Sequence, residues 1–561
     1  MTADPMTGTT STATTTPPTS GVGAAVATTG GSLRGTWELV RFMLRRDRVR
    51  LPAWTLGIAA FWLYYTRLVP QVYATTEDLE GVSQLMEGPM GRLYTGPAHG
   101  FEQLTHDRFI VGAYGLYVLL VAALMSILLV VRHTRADEQA GRAELVRANV
   151  VGRDAPLTAA LLVAVITNLV VSTAIVAVTV SSPHFGPGGS LLFGAGVGAA
   201  GLAFASLAAL TAQVTEFPRA ASSLAGAGLG AAFVLRALGD MTSQGGSPLS
   251  WVSPLAWSQQ TAPFVLDRWW PLALPIAFAV AVAAVGYRLS SRRDLGAGML
   301  SVRAGPAGAA PWLGSPFAFA LRLQRASIVG WTASLAVAGL LFGAFADAML
   351  TSSEDLPDVL VDVTGGEADI VAGYLSLMAL FMALIIGIFA ILAVQSLRTE
   401  ETSGRAEPVL ATPVSRTAWL GAHLAATALG IVVMLTATGL ATGLGAMAVT
   451  GEAAHLGELP AAHLAFAAPL LLLLALAALL FALAPRALSA SWLVLGYGLI
   501  VGVFGPAMDL PSWAHRLSPF EHVARYPLDP IAFQPPLIMG AVGACGIAYS
   551  LLVIRERDID V

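Results

Sequence analysis

Lysine is absent from the 561 residues, so all 31 basic side chains are arginines. A phosphate-binding P-loop needs its lysine on the β- and γ-phosphates, and imine chemistry needs a side-chain amine. The chain is therefore neither a standard P-loop ATPase nor a Schiff-base enzyme. Its one cysteine, Cys545 inside an apolar run, excludes a disulfide framework and any cysteine-based zinc or iron–sulfur site. Charge is scarce: 12% of residues are charged and 55% apolar, with a mean hydropathy of +0.70. Soluble domains carry about 25% charged residues. A net charge of −4 and a pI near 6.1 give no reason to expect nucleic acid as a partner. HExxH, G-x-S-x-G and glycine-rich dinucleotide turns are missing, so the sequence offers no catalytic residue, no metal ligand set and no cofactor site. Few titratable groups sit in the apolar runs, which counts against a proton-driven carrier.

What is present is apolar sequence in membrane-sized lengths. Residues 1–33, rich in Thr, Ser, Pro, Gly and Ala with Asp4 as the only charge, read as a disordered cytoplasmic tail. Apolar runs follow at 53–70, 109–131, 156–181, 189–213, 221–240 and 270–289, then at 328–350, 370–396, 417–449, 462–484, 488–508 and 532–554. Each is long enough to span about 30 Å of hydrocarbon as a helix. The predicted fold is an all-α polytopic membrane protein of about 12 transmembrane helices. With both termini inside, cytoplasmic segments hold 24 of the 31 arginines, as the positive-inside rule requires. The outer loops are acidic, with Glu354, Asp355, Asp358, Asp362, Glu367 and Asp369 in one of them, and read as solvated charge.

The strongest signal is an internal repeat. RADEQAGRAE at 135–144 matches RTEETSGRAE at 398–407 in six of ten positions, and the match runs on to Arg153 and Arg416. Further landmarks recur in order: Trp54 and Trp331, Pro218-Arg219-Ala220 and Pro485-Arg486-Ala487, Ser253-Pro254 and Ser518-Pro519, Arg293-Asp294 and Arg557-Asp558. The chain thus divides into a tail (1–33), a first six-span repeat (34–300), a linker (301–314) and a second six-span repeat (315–561). Six spans per repeat is even, so the copies share one orientation and relate by a pseudo-two-fold along the membrane normal. A pathway belongs between them.

Both matching segments fall in the cytoplasmic loop after the second span of their repeat. Glu138 and Arg142 are four apart, as are Glu401 and Arg405, the favoured order for an i,i+4 pair on a helix. Gly141 and Gly404 point to a turn or a close backbone approach. The positive-inside rule asks for arginine but not for the recurring acids, so the shared pattern predicts a shape read from outside the membrane. Thr36 to Arg50 reads as an interfacial helix, with Arg41, Arg45 and Arg48 on one stripe and Trp37, Val40 and Leu44 on another; 316–325 is a weaker copy. Ser222, Gly226 and Gly230 form a small-residue packing stripe, with Gly498 and Gly502 a shorter one. Arg236 and Asp240 form a candidate intramembrane pair. Phe61, Trp62, Tyr64 and Tyr65 fit either a pocket or interfacial anchoring. His515 and His522 lack further ligands for a metal.

Two six-span halves, each with E-x-x-G-R-x-E after its second span and Ser-Pro in its last outer loop, and RRDLGAG (292–298) closing the first half, resemble the fused, double-length permease subunits of actinobacterial ABC-type exporters of polyketide antibiotics and drugs. The resemblance runs from about residue 35 onward; the second half ends instead in RERDIDV. It implies a permease in the cell membrane without its own nucleotide site, driven by a separate ATPase subunit, in two copies, that supplies ATP and magnesium. By the same resemblance Glu138, Gly141, Arg142 and Glu144 meet one ATPase copy, and Glu401, Gly404, Arg405 and Glu407 the other. The cargo that the resemblance implies is an amphipathic or apolar small molecule, whose binding residues the sequence does not disclose. The alternatives are an ion-gradient-driven twelve-span carrier, whose usual G-x-x-x-D-R-x-G-R-R loop is absent, and a membrane-embedded enzyme acting on lipid-linked substrates.

Overall fold

The computed structural model describes residues 31–75, 79–80, 83, 86–148, 151–293, 296–299, 305, 308–346, 370–505, 510–530 and 532–557. Most of the expected tail, the acidic 354–369 stretch and the landmarks Asp294 and Asp558 lie outside these. Every regular element among the described residues is helical, and ten helices are long and apolar enough to cross a membrane.

The first half opens with α1 (Thr36–Arg46), α2 (Arg50–Val72) and the short α3 (Pro89–Thr95). Then come α4 (His106–His133), its continuation α5 (Arg135–Gln139) and α6 (Arg142–Arg147). The long α7 (Ala155–Val180), α8 (Pro187–Val214) and α9 (Pro218–Thr242) follow, and α10 (Ala256–Gln259) and α11 (Ala273–Ser290) complete it. In the second half α12 (Pro316–Ala344), α13 (Ile370–Thr402) and the short α14 (Glu407–Leu410) precede α15 (Arg416–Thr450). The bent pair α16 (His455–Ala465) and α17 (Ala467–Leu483) leads to α18 (Ser491–Leu499), α19 (Ser512–Leu517) and α20 (Gln534–Val553).

Packing explains where these helices sit. Buried apolar side chains form one large cluster drawn from residues 39–255 and another from 328–554. In the first, α8 is buried along most of its length because glycines let neighbours approach: a Cβ at Gly194 would lie 2.4 Å from Val176, and one at Gly201 1.8 Å from Asn168. Asn168 donates to Ser126 Oγ at 2.9 Å, polar glue between α7 and α4. In the second, α12 and α15 meet backbone to backbone, since a Cβ at Gly343 would sit 2.0 Å from the Thr442 carbonyl and one at Gly445 2.1 Å from that of Leu340.

Several expectations need correction. The 488–508 run is not one helix: a 3-10 turn (Pro485–Ala490), α18 and a π-helical stretch (Ile500–Phe504) succeed one another. The 53–70 run is a helix, but its tyrosines, Trp54 and Arg67 make it less apolar than the ten. The 417–449 run is a single 35-residue helix, about 52 Å long at 1.5 Å per residue, and its Gly430, Gly439, Gly443 and Gly445 pack closely against neighbouring elements. Residues 316–325 are no separate interfacial copy but the first turns of α12. Gly226 and Gly230 face open space, with no described atom within 4 Å of a Cβ at either, whereas Gly498 and Gly502 press against Phe520 and Leu380. Of the α2 aromatics, Trp62 is buried and donates to Thr179 Oγ1 at 2.8 Å, Tyr65 stacks on Tyr114 at 4.0 Å, and Tyr64 stays exposed.

Candidate functional site

The matching segments are built alike from their glycines upward. Gly141 has φ +71° and Gly404 φ +69°, the left-handed region that costs an L-residue strain. A Cβ at either would meet nothing within 4 Å, so the turn and not a close approach demands glycine. In both copies the glycine N–H closes the turn on the carbonyl three residues back, Glu138 O and Glu401 O, each at 3.0 Å.

That turn breaks the helix between acid and arginine, so the predicted pairs Glu138–Arg142 and Glu401–Arg405 do not form. Each arginine reaches back five residues instead: Arg142 donates to Asp137 Oδ1 at 2.8 and 3.0 Å, and Arg405 to Glu400 Oε1 at 3.0 and 3.1 Å. Both arginine side chains stay about half exposed, 51% and 50%. Glu144 and Glu407, in the first turns of α6 and α14, are exposed.

Glu138 and Glu401 turn the other way. Glu138 accepts from Arg135 at 2.7 Å and Arg293 at 2.6 Å. Arg293 also donates to Gln213 at 2.7 Å, and Arg135 to the carbonyls of Ala212 and Ala297. The end of α4–α5 is thereby tied to the end of α8 and to the strand of chain after α11. In the second half Glu401 pairs with Arg557, whose guanidinium lies 4.7 Å over the Phe481 ring and donates to the Phe481 carbonyl. Arg153 and Arg416 complete the correspondence: the first donates to Ser291 O at 2.6 Å, the second to Arg557 O. The recurrence of Arg293 and Arg557 in sequence was the available signal for these partners; their distance along the chain hid the pairing.

A further network belongs to the first half alone. Arg46 at the end of α1 donates to Asp137 at 2.9 Å and lies 2.7 Å from His133 Nδ1, while buried Asp47 accepts from Arg132 at 3.1 Å. The repeat places Leu323 and Gln324 where the first half has Arg46 and Asp47, so the second copy has no such bridge. Helix α1 ends at Arg46 rather than running to Arg50, leaving Arg48 beyond it. Its buried face is Leu39, Val40 and Met43; Trp37 is exposed beneath the Arg41 guanidinium, 5.5 Å from its ring, and Arg45 is exposed. Ser32, within the expected tail, is tied to the fold, since its carbonyl accepts from Asp154 as that of Arg34 does from Gly152.

Elsewhere the polar candidates are structural. His515 pairs with Glu521 at 3.0 Å and His522 with Ser518 O at 2.9 Å; among the described residues no cluster of metal-ligating side chains occurs. The surface offered by the two segments is thus a pair of braced turns, each showing one arginine and one glutamate.

Residues 38–289 and 313–555 match the family described as "Multidrug efflux system permease Rv1217c, C-terminal domain". The chain is also 36% identical over 539 residues to the multidrug efflux system permease protein Rv1217c of Mycobacterium tuberculosis (strain ATCC 25618 / H37Rv), covering 94% of this chain and 96% of that one. An all-helical body with ten membrane-length helices and two matching braced turns therefore belongs to the Rv1217c family of multidrug efflux permeases.

Proposed function

We propose that the chain is the membrane subunit of an ATP-driven exporter that moves amphipathic or apolar drug-type molecules out of the cell, both termini lying in the cytoplasm. A separate ATPase, in two copies, grips the turn within 135–144 through one copy and the turn within 398–407 through the other. The observation that carries this reading is the identical construction of the two turns, left-handed glycine, arginine bridge and inward glutamate, in a chain whose lack of lysine rules out its own P-loop. The inward Glu138 and Glu401 brace each turn against its own half, and Arg142, Glu144, Arg405 and Glu407 face the partner. Closure of an ATPase dimer would push both turns and rock the halves as rigid bodies. The relative's name, a multidrug efflux permease, supports the cargo class.

The test is pull-down of the tagged chain from its native membranes, identification of the ATPase that co-purifies with it, and drug-stimulated ATP hydrolysis by the purified complex. Charge reversal at Arg142 and Arg405 together is expected to cut drug-stimulated hydrolysis at least tenfold while the permease stays in the membrane. Unchanged association and hydrolysis would overturn the assignment of the turns. Export that follows an ion gradient and ignores ATP would overturn the ATP-driven reading itself.

A further inference from the structure

Among the described residues, the contact between the two halves is made by aromatic rings. Between described residues, side-chain hydrogen bonds and salt bridges stay within a half, while Tyr94 of α3 reaches across. Its ring stacks on Phe342 (5.3 Å, 16°) and meets Phe345 edge-on (5.6 Å, 84°) at the far end of α12. Phe345 leans on Tyr374 at 5.8 Å, and the Tyr374 hydroxyl donates to the Phe342 carbonyl at 3.0 Å, fixing both phenylalanines. The Tyr94 hydroxyl is buried without a hydrogen-bond partner, so parting this contact breaks no polar bond.

What holds Tyr94 there is the intramembrane ion pair. Arg236, fully buried in α9, donates to the carbonyls of Arg92 (3.3 Å) and Leu93, the residues just before Tyr94. Asp240 fixes the guanidinium at 3.2 Å and is itself held by Ser250 at 2.6 Å. Arg92 in turn donates to Met241 O at 2.9 Å. These bonds spend the fork of Arg236 on the end of a seven-residue helix, a role a proton or ion relay would not need.

Resting on the permease reading, we propose that Tyr94, Phe342 and Phe345 form the gate at the outer end of the passage between the halves, with Arg236 as its positioning residue. The gate is shut in this structure and must part for cargo to leave.

The experiment uses the full chain with Cys545→Ser, a protease site inserted in the 301–314 linker, and Tyr94→Cys with Phe345→Cys, expressed in its native host. A short bifunctional thiol reagent is expected to hold the cleaved halves together on a non-reducing gel. It should also lower efflux of ethidium, rhodamine 6G and tetracycline at least tenfold, with reductant restoring both. Arg236→Met should lower cross-link yield per chain at least fivefold, whereas a merely structural role would lower the amount of chain and leave that yield alone. No cross-link, or a cross-linked chain exporting at the parent rate, overturns the gate alone. A Cys545→Ser parent that exports none of the compounds overturns the permease reading and the gate's transport role with it.

Discussion

At the scale of single residues, the two turns separate conformation from charge. Gly141→Ala and Gly404→Ala each force a left-handed alanine, at a cost of about 1–2 kcal/mol, with no steric clash to add to it. Drug-stimulated hydrolysis is expected to fall several-fold in the double variant, measured at equal permease content. Glu138→Gln leaves the guanidinium groups of Arg135 and Arg293 without their anion, a loss of about 3 kcal/mol if the pair behaves as a buried one. Arg142→Gln removes a half-exposed pair worth about 0–1 kcal/mol. A thermal denaturation midpoint in detergent should therefore drop for the first and barely move for the second. His99 offers a pH readout outside the spanning helices: burial holds its pKa below the usual histidine value, against the Gln260 bond. A histidine kept neutral in the fold contributes stability above its unfolded pKa and loses it as pH falls. The midpoint should thus decline from pH 7.5 to 5.5, less steeply in His99→Gln. The recurring Glu, Gly and Arg were legible in sequence because local spacing records them. Asp137 and Glu400 as the true arginine partners were not, because helical spacing holds only until a left-handed residue interrupts it.

At the scale of elements, hydropathy recognises a run but not its continuity. The 488–508 stretch is as apolar as its neighbours, yet Gly498 and Gly502 dock on Phe520 and Leu380, and the helix changes pitch to π just there. Nothing in a window average distinguishes that from a straight span. Glycine stripes are equally mute about their neighbours. Gly343→Ala would push a methyl against the Thr442 backbone 2.0 Å away, where overpacking costs typically about 1–3 kcal/mol, and is expected to lower the denaturation midpoint. Gly226→Ala and Gly230→Ala meet open space and gain helix propensity of about 0.5–1 kcal/mol each, so the midpoint should hold or rise. In α1 the apolar stripe was readable, and Val40 of that stripe is buried, but Leu39 and Met43, which complete the covered face, were not picked out by it.

At the scale of the whole molecule, two apolar clusters, two braced turns and an aromatic seam are the parts through which the proposed rocking of the halves would work. Interfaces of packed rings are bistable rather than continuously deformable, which lets a push at one end become a rigid-body shift at the other. The duplication and the arginine asymmetry were visible in sequence; the seam was not, because Tyr94 and Phe342 belong to loops and helix ends with no shared pattern. The most direct test of the account labels Glu144→Cys and Glu407→Cys, each with Cys545→Ser, using a membrane-impermeant maleimide in inside-out and right-side-out vesicles, with and without the ATPase. Both cysteines should react only in inside-out vesicles, and the ATPase should protect both. Reaction from the outside, or labelling at both positions that ignores the ATPase, would contradict it.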